Sequence, residues 1–222
     1  MITVYTALFG GYDHLHPAPD LPDTRYVAFT DNPDLTADNW EIRVHPRASP
    51  LTPWMNSKLY KLLPHIVLPD ARRTLYLDAS HEITSPTAVQ EALACARVHG
   101  FAVHLHPEGT DCLYDEAAQA ATFYKYEGIP VLEQSASYAR EGHPAHSGLW
   151  ATGSIARIRS PWVDSLCEEW WTETLKWTPN CQMSLARVLH KEGVQSAPDI
   201  FPHNQYRSPW FKIHPHLVEV AV

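Results

Sequence analysis

The sequence lacks any run of about 20 apolar residues, the length that a membrane-spanning helix requires. It begins Met-Ile-Thr-Val, without the basic and apolar segments of a secretory signal, and this absence predicts a cytoplasmic protein. With 45% hydrophobic and 19% charged residues, the composition is ordinary for a soluble globular protein. We therefore predict a single domain over residues 1–222, in which residues 201–222 form an irregular C-terminal tail near the functional site.

The sequence also lacks an excess of basic residues. It contains 17 Lys and Arg against 25 Asp and Glu, which gives a formal net charge of -8. Nucleic-acid binding requires clustered cations, so this balance argues against a large nucleic-acid interface. Close pairs of cysteines are absent as well, which argues against a zinc knuckle or a redox motif. We expect the four cysteines to be free thiols: Cys95, Cys112, Cys167 and Cys181.

No internal repeat or linker interrupts the chain, and no G-x-G-x-x-G dinucleotide fingerprint follows the first predicted strand, Ile2 to Leu8. That strand is instead followed by Phe9, Gly10, Gly11 and Tyr12. Glycines at this point let the backbone approach a ligand closely, although a tight turn is the favoured interpretation of the pair taken alone. Strand and helix patterns then alternate, which predicts an α/β fold with a mostly parallel sheet flanked by helices.

Two carboxylates follow predicted strands. Asp31 comes after the strand from Arg25 to Phe29, and Asp78 comes after the apolar run Thr74-Leu75-Tyr76-Leu77. Because ligands of open α/β sheets bind outside the carboxyl ends of strands, both acids are candidates for one site. An Asp that caps a turn is the simpler interpretation of each taken alone.

A helix is predicted from Pro53 to His65, with an apolar stripe of Met55, Leu59, Leu62 and Leu63. Lys58 and Lys61 lie three residues apart on another face of this helix. Like charges at this spacing are mildly unfavourable, so an anion bound between them would explain the arrangement. Two solvated lysines remain the alternative.

Other segments carry polar or small residues that suit a site. The sequence from Gly148 to Gly153 would let a substrate lie against the backbone. His104 and His106 share one face of a predicted strand and could bind a metal. The proline-rich tail carries His214 and His216 and is a candidate lid or ligand-bearing loop.

Taken together, these motifs resemble a glycosyltransferase-like family, long catalogued as a domain of unknown function, that is related to nucleotide-sugar transferases of the GT-A fold. Each motif is weak alone, and their order and spacing carry the resemblance over most of the chain. They are Val4 to Asp13, Phe29-Thr30-Asp31, Lys58 and Lys61, Leu75 to Ser80, His106 with Cys112 to Ala117, Gly148-Leu149, Trp170-Trp171, and Gln182 to Leu185.

The resemblance implies a GT-A-like, Rossmann-like fold and a nucleotide-sugar donor. It implies that Asp31 and the loop after the first strand hold the nucleoside and that Lys58 or Lys61 approaches the diphosphate. Asp78 would occupy the metal-binding Asp-x-Asp position, with Mn²⁺ or Mg²⁺ as cofactor. The expected nucleotide-sugar-binding residues are Thr6, Phe9, Gly10, Gly11, Tyr12, Asp31, Lys58, Lys61 and Gly148.

The chain departs from the family pattern at two positions. Ser80 stands where the second acid of Asp-x-Asp is expected, so the predicted metal ligands are Asp78, Ser80 and a tail histidine, His214 or His216. Cys181 stands where the family has an Asp before Gln182. If that acid were the general base of an inverting transfer, Glu116 is the next candidate, with Asp115 behind it. A retaining transfer that uses Gln182 for positioning is the alternative.

The resulting hypothesis is a glycosyltransferase that moves a sugar from a nucleotide diphosphate to an acceptor hydroxyl. The acceptor stays open among glycan, protein, lipid, small molecule and DNA carrying a modified base. Two alternatives remain: a degenerate nucleotide-sugar binding module, and a metal-dependent hydrolase that uses histidines around Asp78. The histidines considered for the hydrolase are His104, His106, His146, His214 and His216.

Overall fold

The computed structural model describes residues 1–191 and 198–217. Its strands are β1 (Ile2–Leu8), β2 (Thr24–Thr30), β3 (Trp40–Val44), β4 (Arg73–Leu77), β5 (His81–Ile83), β6 (Phe101–Leu105), β7 (Trp150–Ile158), β8 (Asp199–Ile200) and β9 (Phe211–Ile213). Its α-helices are α1 (Pro53–Leu62), α2 (Pro64–Val67), α3 (Ala88–Cys95), α4 (Leu113–Ala120), α5 (Val131–Arg140), α6 (Pro161–Lys176) and α7 (Cys181–Lys191). Short 3₁₀ turns span Tyr124–Tyr126 and Gln205–Arg207.

Seven of these strands form one sheet in the order β3-β2-β1-β4-β7-β6-β8. Its pairings are parallel except where β7 runs antiparallel to both β4 and β6. Every residue of β1 is buried, as expected for a central strand that is covered on both faces. The predicted α/β fold with a mostly parallel sheet flanked by helices is confirmed.

The two faces of the sheet bury separate apolar clusters, because alternate residues of β1 point to opposite sides. Tyr5 and Ala7 pack in a cluster with residues of α1, α4, α5, α6 and α7. Ile2 and Val4 pack in the second cluster with α3 and with Trp210 and Phe211 of the tail. Five helices therefore cover one face, while one helix and the tail cover the other.

The direction in which the chain crosses the sheet reverses between β1 and β4. From β1 the chain proceeds outward to β2 and β3, and it then returns through α1 and α2 to form β4 on the other side of β1. Such a reversal leaves a crevice outside the carboxyl ends of the two strands, where ligands of open α/β sheets bind. Gly10, Asp31 and Asp78 follow β1, β2 and β4 at this edge.

Helix α1 differs from its prediction in both length and orientation. It ends at Leu62, because Pro64 begins the separate turn α2. The buried residues of α1 are Asn56, Ser57, Lys61 and Leu62. Of the predicted apolar stripe, only Leu62 is among them. The other members, Met55, Leu59 and Leu63, are only partly buried, so the predicted buried face was wrong. Polar partners explain this orientation: Asn56 accepts from the Ala48 N–H and donates to the Leu51 and Thr52 carbonyls.

The C-terminal tail is more regular than predicted. Its residues Phe211–Ile213 form β9, which pairs antiparallel with β5, the strand that follows Asp78 closely. The backbone N–H of His214 also donates to the Ser80 carbonyl. The prediction of a wholly irregular tail was therefore wrong for this stretch, and residues 218–222 lie outside the described part of the chain. The antiparallel ladder brings the tail next to Asp78.

Two smaller expectations concern membranes and cysteines. Within residues 1–191 and 198–217, no helix is long and apolar enough to cross a bilayer. All four cysteines are free, as predicted, and three of them are buried.

Candidate functional site

The turn after β1 is built from two glycines in the left-handed region, Gly10 at φ +81° and Gly11 at φ +67°. A side chain on Gly10 would come within 2.7 Å of the Pro53 Cβ at the start of α1, whereas Gly11 faces open space. Asp31 supports the turn, because its Oδ1 accepts from the Gly10 N–H at 3.0 Å, and its Oδ2 lies 3.2 Å from the Arg47 Nε. Asp31 thus orders the backbone of this edge.

We expect Gly10→Ala to destabilise the protein more than Gly11→Ala, although both place alanine at positive φ. The backbone strain alone costs about 1–2 kcal/mol in each variant, and Gly10→Ala adds about 1–3 kcal/mol because Pro53 must shift. Urea unfolding of the two variants measures the difference. Equal losses in the free energy of unfolding would show that the contact with Pro53 does not constrain the turn.

Asp78 and Lys61 form an ion pair at the crevice between β1 and β4. The Lys61 Nζ lies 3.1 Å from the Asp78 Oδ1, and the same oxygen accepts from the Tyr76 hydroxyl at 2.8 Å. The Lys61 side chain is 2% exposed and that of Asp78 is 34% exposed, so the carboxylate faces the crevice while the lysine lies beneath it. Both contacts use Oδ1, so neither Lys61 nor Tyr76 donates a hydrogen bond to Oδ2.

The charges in this crevice shift the pKa values of both partners. Burial would raise the pKa of Asp78, but the positive charges of Lys61 and Lys58 outweigh it and lower the pKa to about 2. Burial lowers the pKa of Lys61, and the negative charge of Asp78 opposes part of that shift. Asp78 is therefore ionised at neutral pH, as a ligand for a cation must be.

A buried arginine holds the Lys61 backbone in position. Arg157 donates to the Lys61 carbonyl at 3.2 Å and to the Tyr5 hydroxyl at 3.0 Å, and Tyr5 donates to the same carbonyl at 2.9 Å. The guanidinium also lies over the rings of Phe101 and Trp170. Since the carbonyls at a helix C-terminus carry partial negative charge, they help to compensate the buried cation.

Further cations lie around the ion pair. Lys58, one turn before Lys61, is close enough to lower the pKa values of Asp78 and of the Cys181 thiol. Lys125 lies on the exposed 3₁₀ turn, within electrostatic reach of Asp78 and Glu116. The pKa of Tyr12 is raised by burial and by the charge of Asp78. Three lysines therefore lie within electrostatic reach of Asp78, and their positive potential would attract an anion.

A second acidic group, Glu116 on α4, lies across the site. Its Oε1 accepts from the Asn180 Nδ2 at 2.8 Å and from the Gln182 Nε2 at 3.4 Å, and its Oε2 lies 3.5 Å from the His106 Nε2. Burial would raise the pKa of Glu116, but the hydrogen bonds from His106 and Asn180 outweigh it and lower the pKa. The structure thus brings the two predicted catalytic residues, Glu116 and Gln182, together. Asp115, by contrast, is exposed on the first turn of α4.

Cys181 follows Asn180 in the sequence and lies within electrostatic reach of Asp78. Its thiol is buried and lies 3.4 Å from the Thr152 hydroxyl. Burial would raise the pKa of this thiol, but Lys58 and Lys61 outweigh it and lower the pKa. The position where the family pattern has an acid therefore lies in a positive potential that would favour a carboxylate.

Some predicted nucleotide-sugar-binding residues are placed where only their backbone could reach a ligand. Phe9 is fully buried and stacks on Tyr60 at 5.0 Å, and the side chain of Thr6 is buried as well. Gly148 has φ +109°, and a side chain there would come within 2.5 Å of the Trp150 ring. These residues shape the edge of the sheet.

Each of the other predicted metal ligands contacts a group other than Asp78. His214 Nε2 contacts Glu82 Oε2 at 2.7 Å, His216 Nδ1 contacts Asp13 Oδ2 at 2.9 Å, and the Ser80 hydroxyl is buried 3.5 Å from the His81 Nδ1. The other histidines considered as ligands are also apart: His104 contacts the His203 carbonyl, and His146 contacts Asp111 at the surface.

Sequence reasoning missed several residues that support the site. Tyr76 could have been found, because it lies two residues before Asp78 and side chains repeat every two residues on one face of a strand. Asn180 and Arg157 gave no such signal, since their partners Glu116 and Lys61 are far away in the sequence.

A comparison with protein families matches residues 38–216 to the model of the TOD1/MUCI70, glycosyltransferase-like domain. The matched range contains Asp78, both lysines of α1, Glu116 and Gln182. No curated protein matches the chain.

Proposed function

The chain belongs to the TOD1/MUCI70 glycosyltransferase-like family, and from this we propose that it transfers a sugar from a nucleotide diphosphate to an acceptor hydroxyl. The donor would lie across the carboxyl ends of β1 and β4, where the chain direction reverses. The observation that carries this proposal is the ion pair of Lys61 and Asp78, with Lys58 and Lys125 within electrostatic reach of the same carboxylate.

The lysines suit the diphosphate part of such a donor. When the bond between the sugar and the phosphate breaks, negative charge develops on the leaving diphosphate, and cations fixed beforehand stabilise it. Lys61 is held by its side chain through Asp78 and by its backbone through Arg157 and Tyr5, so it needs little reorganisation. Lys58 and Lys125 add charge from the more open side of the crevice.

Asp78 fits a divalent cation that arrives with the diphosphate. Mg²⁺ usually binds one or two carboxylates together with substrate phosphates and water, so a complete protein cage is not required. Asp78 is ionised and partly exposed, and its Oδ2 accepts no hydrogen bond from Lys61 or Tyr76. We propose that Asp78 holds Mg²⁺ or Mn²⁺, which would supply further positive charge to the leaving diphosphate.

Glu116 is the proposed general base. In the transfer, the acceptor oxygen forms a bond to the anomeric carbon, the bond from that carbon to the diphosphate oxygen breaks, and the acceptor proton passes to the Glu116 carboxylate. Asn180, Gln182 and His106 orient the carboxylate, and the hydrogen bonds from His106 and Asn180 keep it ionised because they lower its pKa. Asp115 is too exposed to share this role.

We expect the double variant Lys58→Ala/Lys125→Ala to bind nucleoside diphosphates about 10-fold more weakly, a loss of about 1.4 kcal/mol. The wild-type protein should bind at least one of a panel of nucleoside diphosphates, with or without Mn²⁺, and bound ligand should raise its Tm by mass action. Isothermal titration calorimetry measures the affinities. Lys176→Ala, which removes an exposed lysine on α6, is the matched control and should bind as the wild type does.

Two outcomes would contradict the proposal. If no nucleoside diphosphate raises the Tm of the wild-type protein, the donor site is refuted. If the double variant and the Lys176→Ala control lose affinity equally, general charge rather than this crevice attracts the ligand.

A further inference from the structure

Three potential metal ligands converge at a point that the proposed transfer does not use. His16 lies in the loop between β1 and β2, Glu82 lies in β5, and His214 directly follows β9. One ligand atom from each lies within 4.8 Å of the other two. Among the residues that the structure describes, no other group of three His, Cys, Asp or Glu side chains meets this condition.

The side chains already contact one another. The His214 Nε2 lies 2.7 Å from the Glu82 Oε2, and the rings of His16 and His214 stack with centroids 3.9 Å apart. All three residues are partly buried, so their positions are defined while water can still reach them. Small side-chain rotations would aim three donor atoms at one ion.

Backbone contacts hold each of the three segments in place. The carbonyl of His16 accepts from the Trp40 indole at 2.8 Å. Glu82 is paired with Lys212 across the ladder of β5 and β9, and the backbone N–H of His214 donates to Ser80. Ligands that are ordered before the ion arrives lose little conformational entropy when they bind it.

We propose that His16, Glu82 and His214 bind a divalent transition metal ion of the Zn²⁺ type. Two imidazoles and one carboxylate form a donor set that Zn²⁺ accepts, with water in the fourth position. Mg²⁺ and Ca²⁺ prefer oxygen ligands, so this site is chemically distinct from a carboxylate that binds Mg²⁺ with a diphosphate. The ion would tie the tail to the loop after β1.

The position of the site explains what such an ion would do. His216, two residues after His214, contacts Asp13, which is three residues before His16. The tail is therefore attached to the same loop at two adjacent points. A metal ion at the first point would hold the tail over the edge of the sheet near Asp78, independently of whether a donor is bound.

Titration of the untagged, chelator-treated protein with Co²⁺ and Zn²⁺, without any nucleotide, tests this proposal. Co²⁺ should give visible absorption bands of a site with nitrogen ligands, and Zn²⁺ should raise the Tm and displace the Co²⁺. His16→Ala keeps the contact between His214 and Glu82 and removes one ligand. We expect it to weaken Zn²⁺ binding by more than about 100-fold, beyond the roughly 10- to 100-fold that loss of a supporting residue typically causes.

Two control variants make the result specific. His146→Ala removes an exposed histidine that contacts only one acid, Asp111, among the described residues, and it should bind Zn²⁺ as the wild type does. Asp115→Asn should also leave Zn²⁺ binding unchanged, because it removes an exposed acid on α4 that is not one of the three ligands. The proposal is overturned if the wild type shows no Co²⁺ absorption and no Tm increase with Zn²⁺, or if His16→Ala binds Zn²⁺ as tightly as the wild type.

Discussion

Replacing Asp78 by asparagine should lower the rate of sugar transfer at least about 100-fold, the loss typical when a transition-state charge contact is removed. It should also destabilise the protein, because Lys61 is 2% exposed and would keep a buried charge without its carboxylate. Breaking a fully buried ion pair costs about 3–5 kcal/mol. Since the Asp78 side chain is 34% exposed, we expect about 2 kcal/mol.

A double-mutant cycle separates stability from function. Lys61→Met should destabilise less than Asp78→Asn, because the partly exposed carboxylate of Asp78 can be hydrated, whereas a buried ammonium cannot. The double variant Asp78→Asn/Lys61→Met should regain stability without regaining activity. Urea unfolding and a donor-turnover assay measure the two quantities. If turnover returns in the double variant, Asp78 acts through stability alone.

The free energy of unfolding measured at acidic pH provides a second test of the role of Asp78. The pKa of Asp78 in the folded protein, about 2, lies below its usual value of 3.8. The carboxylate therefore stabilises the fold above pH 3.8, and this contribution is lost as the pH falls toward 2. Asp78→Asn should lack that part of the pH dependence between these two values.

Replacing Glu116 by glutamine should lower kcat by about 100-fold or more while the KM for the donor stays near its original value. The amide cannot accept the acceptor proton, and if its oxygen keeps the bonds from Asn180 and Gln182, its NH₂ group faces the His106 ring instead. Unpaired buried donors add a stability cost of about 1–3 kcal/mol. Steady-state kinetics on the folded variant, with circular dichroism as a check, measure the effect.

The pH profile distinguishes a base from a residue that only positions Gln182. The pKa of Glu116 is lowered below its usual value of 4.5. The wild-type kcat should therefore stay constant from neutral pH down to about pH 4.5 and should decrease only at lower pH. The variant should lose this limb. Asp115→Asn, on the exposed side of the same helical turn, is the matched control and should retain both rate and profile. A full rate in Glu116→Gln would remove Glu116 from the mechanism and favour a retaining transfer.

The edge of the sheet could be predicted from sequence because it depends on local patterns. The ends of three strands are recognisable in the sequence, because apolar residues there give way to small or acidic ones. These positions are Gly10-Gly11, Asp31 and Asp78. Parallel strands then bring their carboxyl ends to one edge, so the positions along the chain suffice. This is why the α/β fold was correctly predicted and why Gly10, Asp31 and Asp78 could be assigned to one edge of the sheet.

The orientation of α1 and the regular part of the tail could not be predicted in the same way. Lys61 is buried because Asp78, 17 residues later, compensates its charge, and no helical periodicity reveals a partner in another element. Strand β9 has three residues between two prolines, too few for a pattern, and its pairing partner β5 lies far earlier in the chain. Long-range contacts decided both outcomes.

The pairing of β5 with β9 also affects the order in which the site is completed during synthesis. Strands β1, β2 and β4 and helix α1 precede β9 by more than a hundred residues, so they can assemble while the chain is still attached to the ribosome. The Ser80 carbonyl gains its bond from His214 only after residue 214 has left the exit tunnel. In a nascent chain, Lys61 and Asp78 could therefore pair before β9 is available. The ladder of β5 and β9 beside them would form later.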